Sequence, residues 1–242
     1  LSNENEKINI VVATSGDTGA AAIDAIKGKK DVNIFVLHPN DRISPVQRKL
    51  MTTGKEKNVF NIAVNGNFDD CQNLVKAMFA DKIFSKEIKM SGVNSINWAR
   101  IIAQSVYYFY SYFLIEENNQ PVNFSVPTGN FGDVYAGYLS KKMGLPINKL
   151  IVATNQNDIL HRAISSGTYE AEKVIETISP SMDIQIASNF ERLIYDLNNF
   201  DDKKTIKAMN DIKERGKYTI NKDSLDKINN DFLSSSMSEE EV

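Results

Sequence analysis

Short, continuous runs of apolar and β-branched residues alternate with segments of helical period along the first half of this chain. That alternation constrains the fold more than any other feature. Residues 8–13, 32–37 and 59–64 are strand-length apolar runs. Between them, residues 19–29 are alanine-rich with Ile23 and Ile26 at helical spacing, and Ser44-Pro45 opens a helical stretch to Met51. Residues 68–79 then repeat apolar side chains at 68, 71, 74, 75, 78 and 79, the period of an amphipathic helix. Strands apolar along their whole length must be buried on both faces, and the helices between them supply that cover. The expectation is an α/β fold of right-handed βαβ units on a parallel sheet.

The second half continues the theme. After Ser91-Gly92 the pattern predicts a long helix over 96–116, a strand over 122–126, a helix over 131–143 and a strand over 150–153, with Gly144-Leu145-Pro146 as a stop signal. From Asp158 onward the reading is mostly helical, with one extended interlude near 178–186. Residues 234–242 show no apolar period and end in an acidic run. A boundary near 91–95 divides the chain into two α/β lobes, residues 1–95 and 96–242.

Charge and cysteine content exclude several classes. With 28 Lys+Arg against 31 Asp+Glu, the net charge of −3 lacks the basic excess of a nucleic-acid binder. No apolar run approaches the roughly 18 residues of a membrane span; the longest, 107–115, is short and interrupted by Ser111. The single cysteine, Cys71, excludes an internal disulfide framework and a Cys-based zinc site, and fits a reducing, cytoplasmic setting. The opening residues are polar and acidic, with neither a signal-peptide pattern nor an initiator methionine, so the expectation is a piece of a longer protein.

Three loops carry candidate chemistry. Ala13-Thr14-Ser15-Gly16-Asp17-Thr18-Gly19 follows a strand and opens a helix. Its hydroxyls and free N–H groups suit an anion. It reads equally as a βα turn in which Ser15, Asp17 or Thr18 caps the helix and Gly16 takes a positive φ. It matches neither GxGxxG nor GxxxxGK[ST], so dinucleotide and P-loop fingerprints are missing. Pro127-Thr128-Gly129-Asn130-Phe131-Gly132-Asp133 repeats the strand–loop–helix arrangement, with two glycines that permit close backbone approach to a phosphate and Asp133 placed for the helix dipole. In a parallel sheet both loops fall at carboxyl ends of strands, where ligands bind. Third, Asn94 or Ser95 can cap a helix on which Arg100 and Gln104 share a face, and such an arginine can clamp a phosphate or carboxylate bidentately.

In order along the chain stand Thr14–Gly19, Ile43-Ser44-Pro45-Val46-Gln47, Asn94-Ser95-Ile96-Asn97, Val126–Asp133, Ala153-Thr154-Asn155-Gln156-Asn157-Asp158 and Ser179-Pro180-Ser181-Met182-Asp183-Ile184. Together they closely resemble the threonine synthase family, in its longer bacterial and fungal subgroup, over nearly the whole chain. The resemblance implies a fold-type II enzyme (tryptophan synthase β-like) that uses pyridoxal 5′-phosphate to convert O-phospho-L-homoserine and water to L-threonine and phosphate. It implies that Thr14, Ser15, Gly16 and Thr18 grip the substrate carboxylate and that Asp17 lies near the 3′-oxygen of the cofactor ring. Gly129, Asn130, Phe131, Gly132 and Asp133 would cradle the cofactor phosphate. Asn94, Ser95 and Arg100 would hold the substrate phosphate. Asn155, Asn157 and Asp158 would lie near the active site.

One departure from the family pattern stands out. The Schiff-base lysine of the family sits in a Phe-Lys-Asp type motif upstream of the first loop, and no lysine here has that context; Lys7 and Lys27 read as strand-flank and solvated helix residues. The family's C-terminal segment beside the pyridine nitrogen is also missing, so the expectation is a central fragment that does not run the reaction alone. Two rival readings share the loops: a related phospho-lyase of the same fold type, and a non-catalytic phosphometabolite-binding module.

Other residues invite blander readings. Cys71 belongs to an apolar helix face and reads as core. His38, before Pro39, reads as a loop residue, and His161 lies in a helix without a second ligand, so no metal site is expected. The aromatic stretch 107–113 reads as a long buried helix between lobes, and Asp69-Asp70 as capping charge.

Overall fold

The apolar runs form parallel strands in two sheets. The computed structural model describes residues 7–14, 16–41, 43–94, 97–115 and 119–241, which fall into two compact units, Leu1–Asn97 and Trp98–Val242.

The first unit runs β1 (Ile8–Ala13), α1 (Asp17–Ile26), β2 (Val32–Pro39), α2 (Pro45–Thr52), β3 (Val59–Val64), α3 (Phe68–Ala80), α4 (Lys82–Glu87) and β4 (Met90–Gly92). Its strands lie in the order β3-β2-β1-β4, each pair parallel, with Ile8 opposite Val32 and Ile34 opposite Val59. Because side chains alternate across a strand, consecutive valines of β1 enter opposite layers. Val12 packs with Ala22, Ile23, Ile34 and Met51 on one face, and Val11 packs with Leu37, Cys71 and Val75 on the other. Cys71 is fully buried there, and burial pushes its thiol above the usual range. α3 begins with a capping box, in which Asn67 Oδ1 accepts from the Asp70 N–H and the Asp70 carboxylate accepts from the Asn67 N–H. α2 begins at Pro45 with Ser44 Oγ accepting from Gln47 N.

His38 corrects its sequence reading. It lies within β2, only 5% exposed, because the pairing with β3 continues through His38–Ala63 and Pro39–Val64. Proline here terminates a strand, and its missing N–H costs little at that end.

The second unit runs α5 (Trp98–Ile115), β5 (Val122–Pro127), α6 (Gly132–Lys142), β6 (Ile147–Thr154), α7 (Ile159–Ser166), β7 (Thr168–Glu170), a 3₁₀ turn at Pro180–Met182, α8 (Phe190–Leu197), α9 (Asp202–Arg215), β8 (Lys217–Thr219), α10 (Lys222–Asp231) and β9 (Phe232–Ser236). β5, β6 and β9 form a parallel sheet in that order, and β7 pairs antiparallel with β8. Phe131, Tyr138, Leu150, Phe190 and Phe232 centre its core.

Three expectations fail here. The region after Asp158 is less helical than its pattern suggests, since β7, β8 and β9 are strands. β9 reads Phe-Leu-Ser-Ser-Ser, so serines hide it from an apolar pattern, and its strand state depends on pairing with β6 about 80 residues earlier in the chain. The interlude near 178–186, expected to be extended, contains a 3₁₀ turn. The aromatic stretch of α5 is buried on one side only: Tyr108 and Tyr112 are covered, while Tyr107, Tyr110 and Phe113 are 66–69% exposed. Among the described residues, no helix is long and apolar enough to cross a membrane.

α5 and α6 meet where Gly137 replaces a side chain. A Cβ at 137 would lie 2.5 Å from Tyr108 Cε1 and 2.8 Å from Leu150 Cδ2. The Tyr108 ring cannot swing aside freely, since its hydroxyl donates to Asp133 O at 2.8 Å. Gly137→Ala is therefore expected to lower the urea midpoint of the chain: overpacking costs about 1–3 kcal/mol, against a helix-propensity gain of about 1 kcal/mol. A midpoint at or above that of the parent would show this contact to be loose.

Candidate active site

In the first unit, the loop after β1 is closed by Thr14. Its side chain is 1% exposed, and Oγ1 accepts from Gly16 N and Gly19 N, both at 2.9 Å. This corrects the capping expectation. The N-cap residue of α1 is Gly16, it makes no side-chain cap, and neither Asp17 nor Thr18 takes that role. A threonine two residues before the N-cap reaches the first turn instead, because the strand end delivers its hydroxyl under the helix start. Ser15 lies outside the described residues.

Gly16 has φ 141°, accessible only to glycine, and its missing side chain makes room for Gln47, whose Cδ lies 2.4 Å from a Cβ placed there. Gln47 Nε2 donates to Asp17 Oδ1 at 2.5 Å, so the second motif props the first loop. Sequence reading quoted Gln47 without a role; its position three residues into a Ser-Pro helix start was the available signal. Asp17 is exposed and Thr18 half-buried. Asn94 is half-buried, and its carbonyl accepts from Asn97 N at 3.2 Å. Ser95 lies outside the described residues.

In the second unit the same device recurs after β5. Thr128 is 2% exposed; its Oγ1 accepts from Phe131 N at 3.1 Å and donates to the Asp133 carboxylate in a short hydrogen bond. Asp133 Oδ1 also takes Val134 N at 2.8 Å. Burial pushes the Asp133 carboxyl above the usual carboxylate range, outweighing these hydrogen bonds. The N–H groups of Gly132 and Asp133 open α6 and have no backbone acceptor within the helix.

Phe131 takes φ 65° and is fully buried, its ring 5.2 Å from that of Phe190 and 5.7 Å from that of Phe232. Its side chain thus anchors the loop in the core and leaves the backbone to meet a ligand. Gly129 lies against residues 181–184, where a Cβ would sit 3.0 Å from Ser181 O and from Ile184 Cδ1. Asn130 is held by Ser188 Oγ on its Oδ1 at 3.0 Å and by Asn189 N on its carbonyl at 3.1 Å.

Arg100 and Gln104 fall on one face of α5. Arg100 Nη1 and Gln104 Oε1 are both enclosed and lack a hydrogen-bond partner among the described residues. Burial pulls the Arg100 pKa down, as expected for a guanidinium withdrawn from water. A pocket of about 320 Å³ lies beside Gln104, lined also by Tyr107, Tyr108, Phe124 and Asp133.

After β6, Asn155 and Asn157 are 7% and 3% exposed and reach Asp183 rather than open solvent. Asp158 instead pairs with Arg162 at 2.8 Å. His161 Nδ1 lies 3.0 Å from Ser234 Oγ of β9.

Residues 1–221 match the family described as pyridoxal-phosphate dependent enzyme. The chain belongs to this family. It is 50% identical to the threonine synthase of Saccharomyces cerevisiae, over 99% of this chain and 49% of that protein. The threonine synthase of Pseudomonas aeruginosa is likewise 50% identical, over 91% of this chain and 47% of that protein. Among solved structures, a pyridoxal-phosphate-bound threonine synthase from Brucella melitensis superposes with a TM-score of 0.90 at 50% identity, covering 98% of this chain and 51% of the other. The chain therefore spans about half the length of the curated relatives it matches. These likenesses bear out the fold-type II reading of the sequence. The second-unit loop fits the family's cofactor: a cradle without side chain at Gly129 and first-turn N–H donors at Gly132 and Asp133.

Two outcomes follow from this geometry. Thr14→Ala leaves two enclosed donors without their acceptor and is expected to cost about 1–3 kcal/mol in urea denaturation, whereas Thr14→Ser retains most of the stability. Equal losses for both variants would move the effect to the methyl group. Asp133 sets a pH dependence. Its folded-state pKa is raised, so between the ordinary carboxylate range and that raised value the folded chain binds more protons than the unfolded one. Stability contributed by this group therefore falls as pH rises through that window. Asp133→Asn should flatten this part of the stability–pH curve, and an unchanged slope would assign it to other groups.

Proposed function

We propose that this chain is the central part of a threonine synthase, which converts O-phospho-L-homoserine and water to L-threonine and phosphate in the cytoplasm. The observation that carries the reading is identity of one residue in two to threonine synthases over 91–99% of the chain. When bound, pyridoxal phosphate supplies an electron sink for proton removal at substrate carbon.

The roles proposed for the chain's own residues are those that the family resemblance implies. Gly129, Asn130, Phe131, Gly132 and Asp133 form the cofactor-phosphate loop; Thr128 Oγ1 already holds the Phe131 N–H, and the first-turn N–H groups at the start of α6 are left for the phosphate, where the helix dipole favours an anion. The resemblance assigns the substrate carboxylate to Thr14, Ser15, Gly16 and Thr18; Thr14 Oγ1 holds the Gly16 N–H, so this pair shapes the loop, and Asp17, steadied by Gln47, would stand near the 3′-oxygen of the ring. Asn94, Ser95 and Arg100 bind the substrate phosphate. A guanidinium suits this last task because its planar fork matches two phosphate oxygens at once. The enclosed, unpartnered Nη1 of Arg100 supports the assignment, since a buried donor without acceptor is costly unless a ligand supplies one.

The division between two phosphate sites gives the test. Arg100→Ala should weaken binding of a phosphonate analogue of the substrate by about ten- to a hundredfold, the value of a charge-assisted pair of about 1.5–3 kcal/mol, and leave pyridoxal phosphate binding nearly intact. Arg100→Lys should restore part of the loss. Parallel titrations with the two ligands check this, with equimolar threonine and phosphate release by the complete protein as the activity readout. Equal losses for both ligands, or none for the analogue, would remove Arg100 from the substrate site.

A further inference from the structure

Asp183, half-buried, is the hub of a polar network that reaches two buried asparagines and to which the loop assignments give no task. Its Oδ1 accepts from Asn155 Nδ2 at 2.9 Å, Asn157 Nδ2 at 3.0 Å and Thr177 Oγ1 at 2.7 Å. Its Oδ2 accepts from the Thr177 backbone N–H at 2.8 Å. The two asparagines are fixed at the end of β6. Asn155 Oδ1 takes Asn157 N at 2.9 Å, and the Asn155 carbonyl takes Ser236 Oγ of β9 at 2.9 Å. Asn157 also grips both backbone groups of Ile175, accepting its N–H at 2.9 Å and donating to its carbonyl at 2.8 Å.

This matters because the segment 171–189 has only a 3₁₀ turn as regular structure. A segment without its own ladder takes its position from side chains, and here it is tied at 175, 177 and 183. Between these ties and the next, Ser181 O, Met182 Cα and Ile184 Cδ1 form the wall 3.0–3.2 Å from a Cβ placed on Gly129. Its far end holds Asn130 through Ser188 Oγ and Asn189 N. The same segment therefore closes the network on one side and frames the glycine loop on the other.

We propose that Asp183 is a positioning residue that sets the 179–184 wall against Gly129 and thereby fixes the shape of the 129–133 loop that receives a phosphate. The functional part rests on the reading of that loop as the cofactor-phosphate site. A carboxylate suits the hub because four donors converge on it. Asparagine keeps one accepting oxygen and turns an N–H₂ towards a donor.

The test compares, within the complete protein that contains this chain, the parent with Asp183→Ala, Asp183→Asn, and Ala208→Gly in α9 as a destabilised control away from the network. Amide hydrogen exchange is read without ligand, and pyridoxal phosphate is titrated while its ³¹P resonance is followed. Asp183→Ala should accelerate exchange at 175–184 and, in step, at Asn130 and Phe131. It should shift the bound ³¹P resonance and weaken binding by about tenfold, with Asp183→Asn intermediate. Ala208→Gly should lower the melting temperature and leave the ³¹P resonance and the loop amides at parent values. Opening of 175–184 with unchanged exchange at 130–131, or equal effects of Asp183→Ala and Ala208→Gly, would overturn the proposal. Should the parent bind no pyridoxal phosphate, the loop reading fails while the exchange comparison still decides the coupling. Should Asp183→Ala not fold, Asp183→Asn and Thr177→Val carry the same comparison.

Discussion

A buried threonine hydroxyl beneath the β1–α1 turn, and another beneath the β5–α6 turn, is the constraint on which both candidate loops depend. A helix start leaves several N–H groups without intrahelical acceptors, and a loop that is to offer some of them to an anion must hold the others still. Thr14 takes Gly16 N and Gly19 N, and Thr128 takes Phe131 N while binding Asp133. Each threonine stands at the end of a strand in the sheet, so the sheet sets the hydroxyl and the hydroxyl sets the turn. Glycines at 16 and 129 then bring neighbouring groups close to the backbone where a side chain would collide.

Electrostatics in the second unit follow from the same enclosure. Burial raises the Asp133 carboxyl above its ordinary range and lowers the Arg100 guanidinium below its own. A charge withdrawn from water without a full set of partners is expensive, and surface ion pairs worth at most about 1 kcal/mol do not offset it. Such groups are favoured where a ligand completes their hydrogen bonding, as an anion does for a guanidinium and for helix N–H groups. The exposed ion pair Lys27–Asp24 belongs to the other category and shapes only the surface.

The polar network around Asp183 shows how an irregular segment acquires a fixed position. Four donors on one carboxylate, two of them from asparagines 93% or more buried, replace the backbone ladder that residues 171–189 lack. Satisfied buried networks specify geometry because any shift leaves a donor unpaired in a poorly solvating interior. The wall at Gly129 inherits that rigidity.

What sequence determined by itself were features carried by short-range pattern: the parallel sheet of continuous apolar strands, the period of α3 with Cys71 on its buried face, and Asp70 at its cap. The glycine loops were legible too, as strand–loop–helix segments, and ordered motifs pointed to the family. Tertiary structure alone decided what depends on partners distant along the chain. β9 is a strand because β6 pairs with Phe232–Ser236, and serine-rich composition carries no trace of that pairing. His38 is buried because β3 extends past it, and α5 covers only its Tyr108–Tyr112 side because α6 meets it there. Thr14 rather than a residue of the turn holds the start of α1, and Asp183 gathers donors from 155, 157 and 177. Periodicity reports which face of an element avoids water, whereas a hydrogen-bond partner is chosen by proximity that only the folded chain creates.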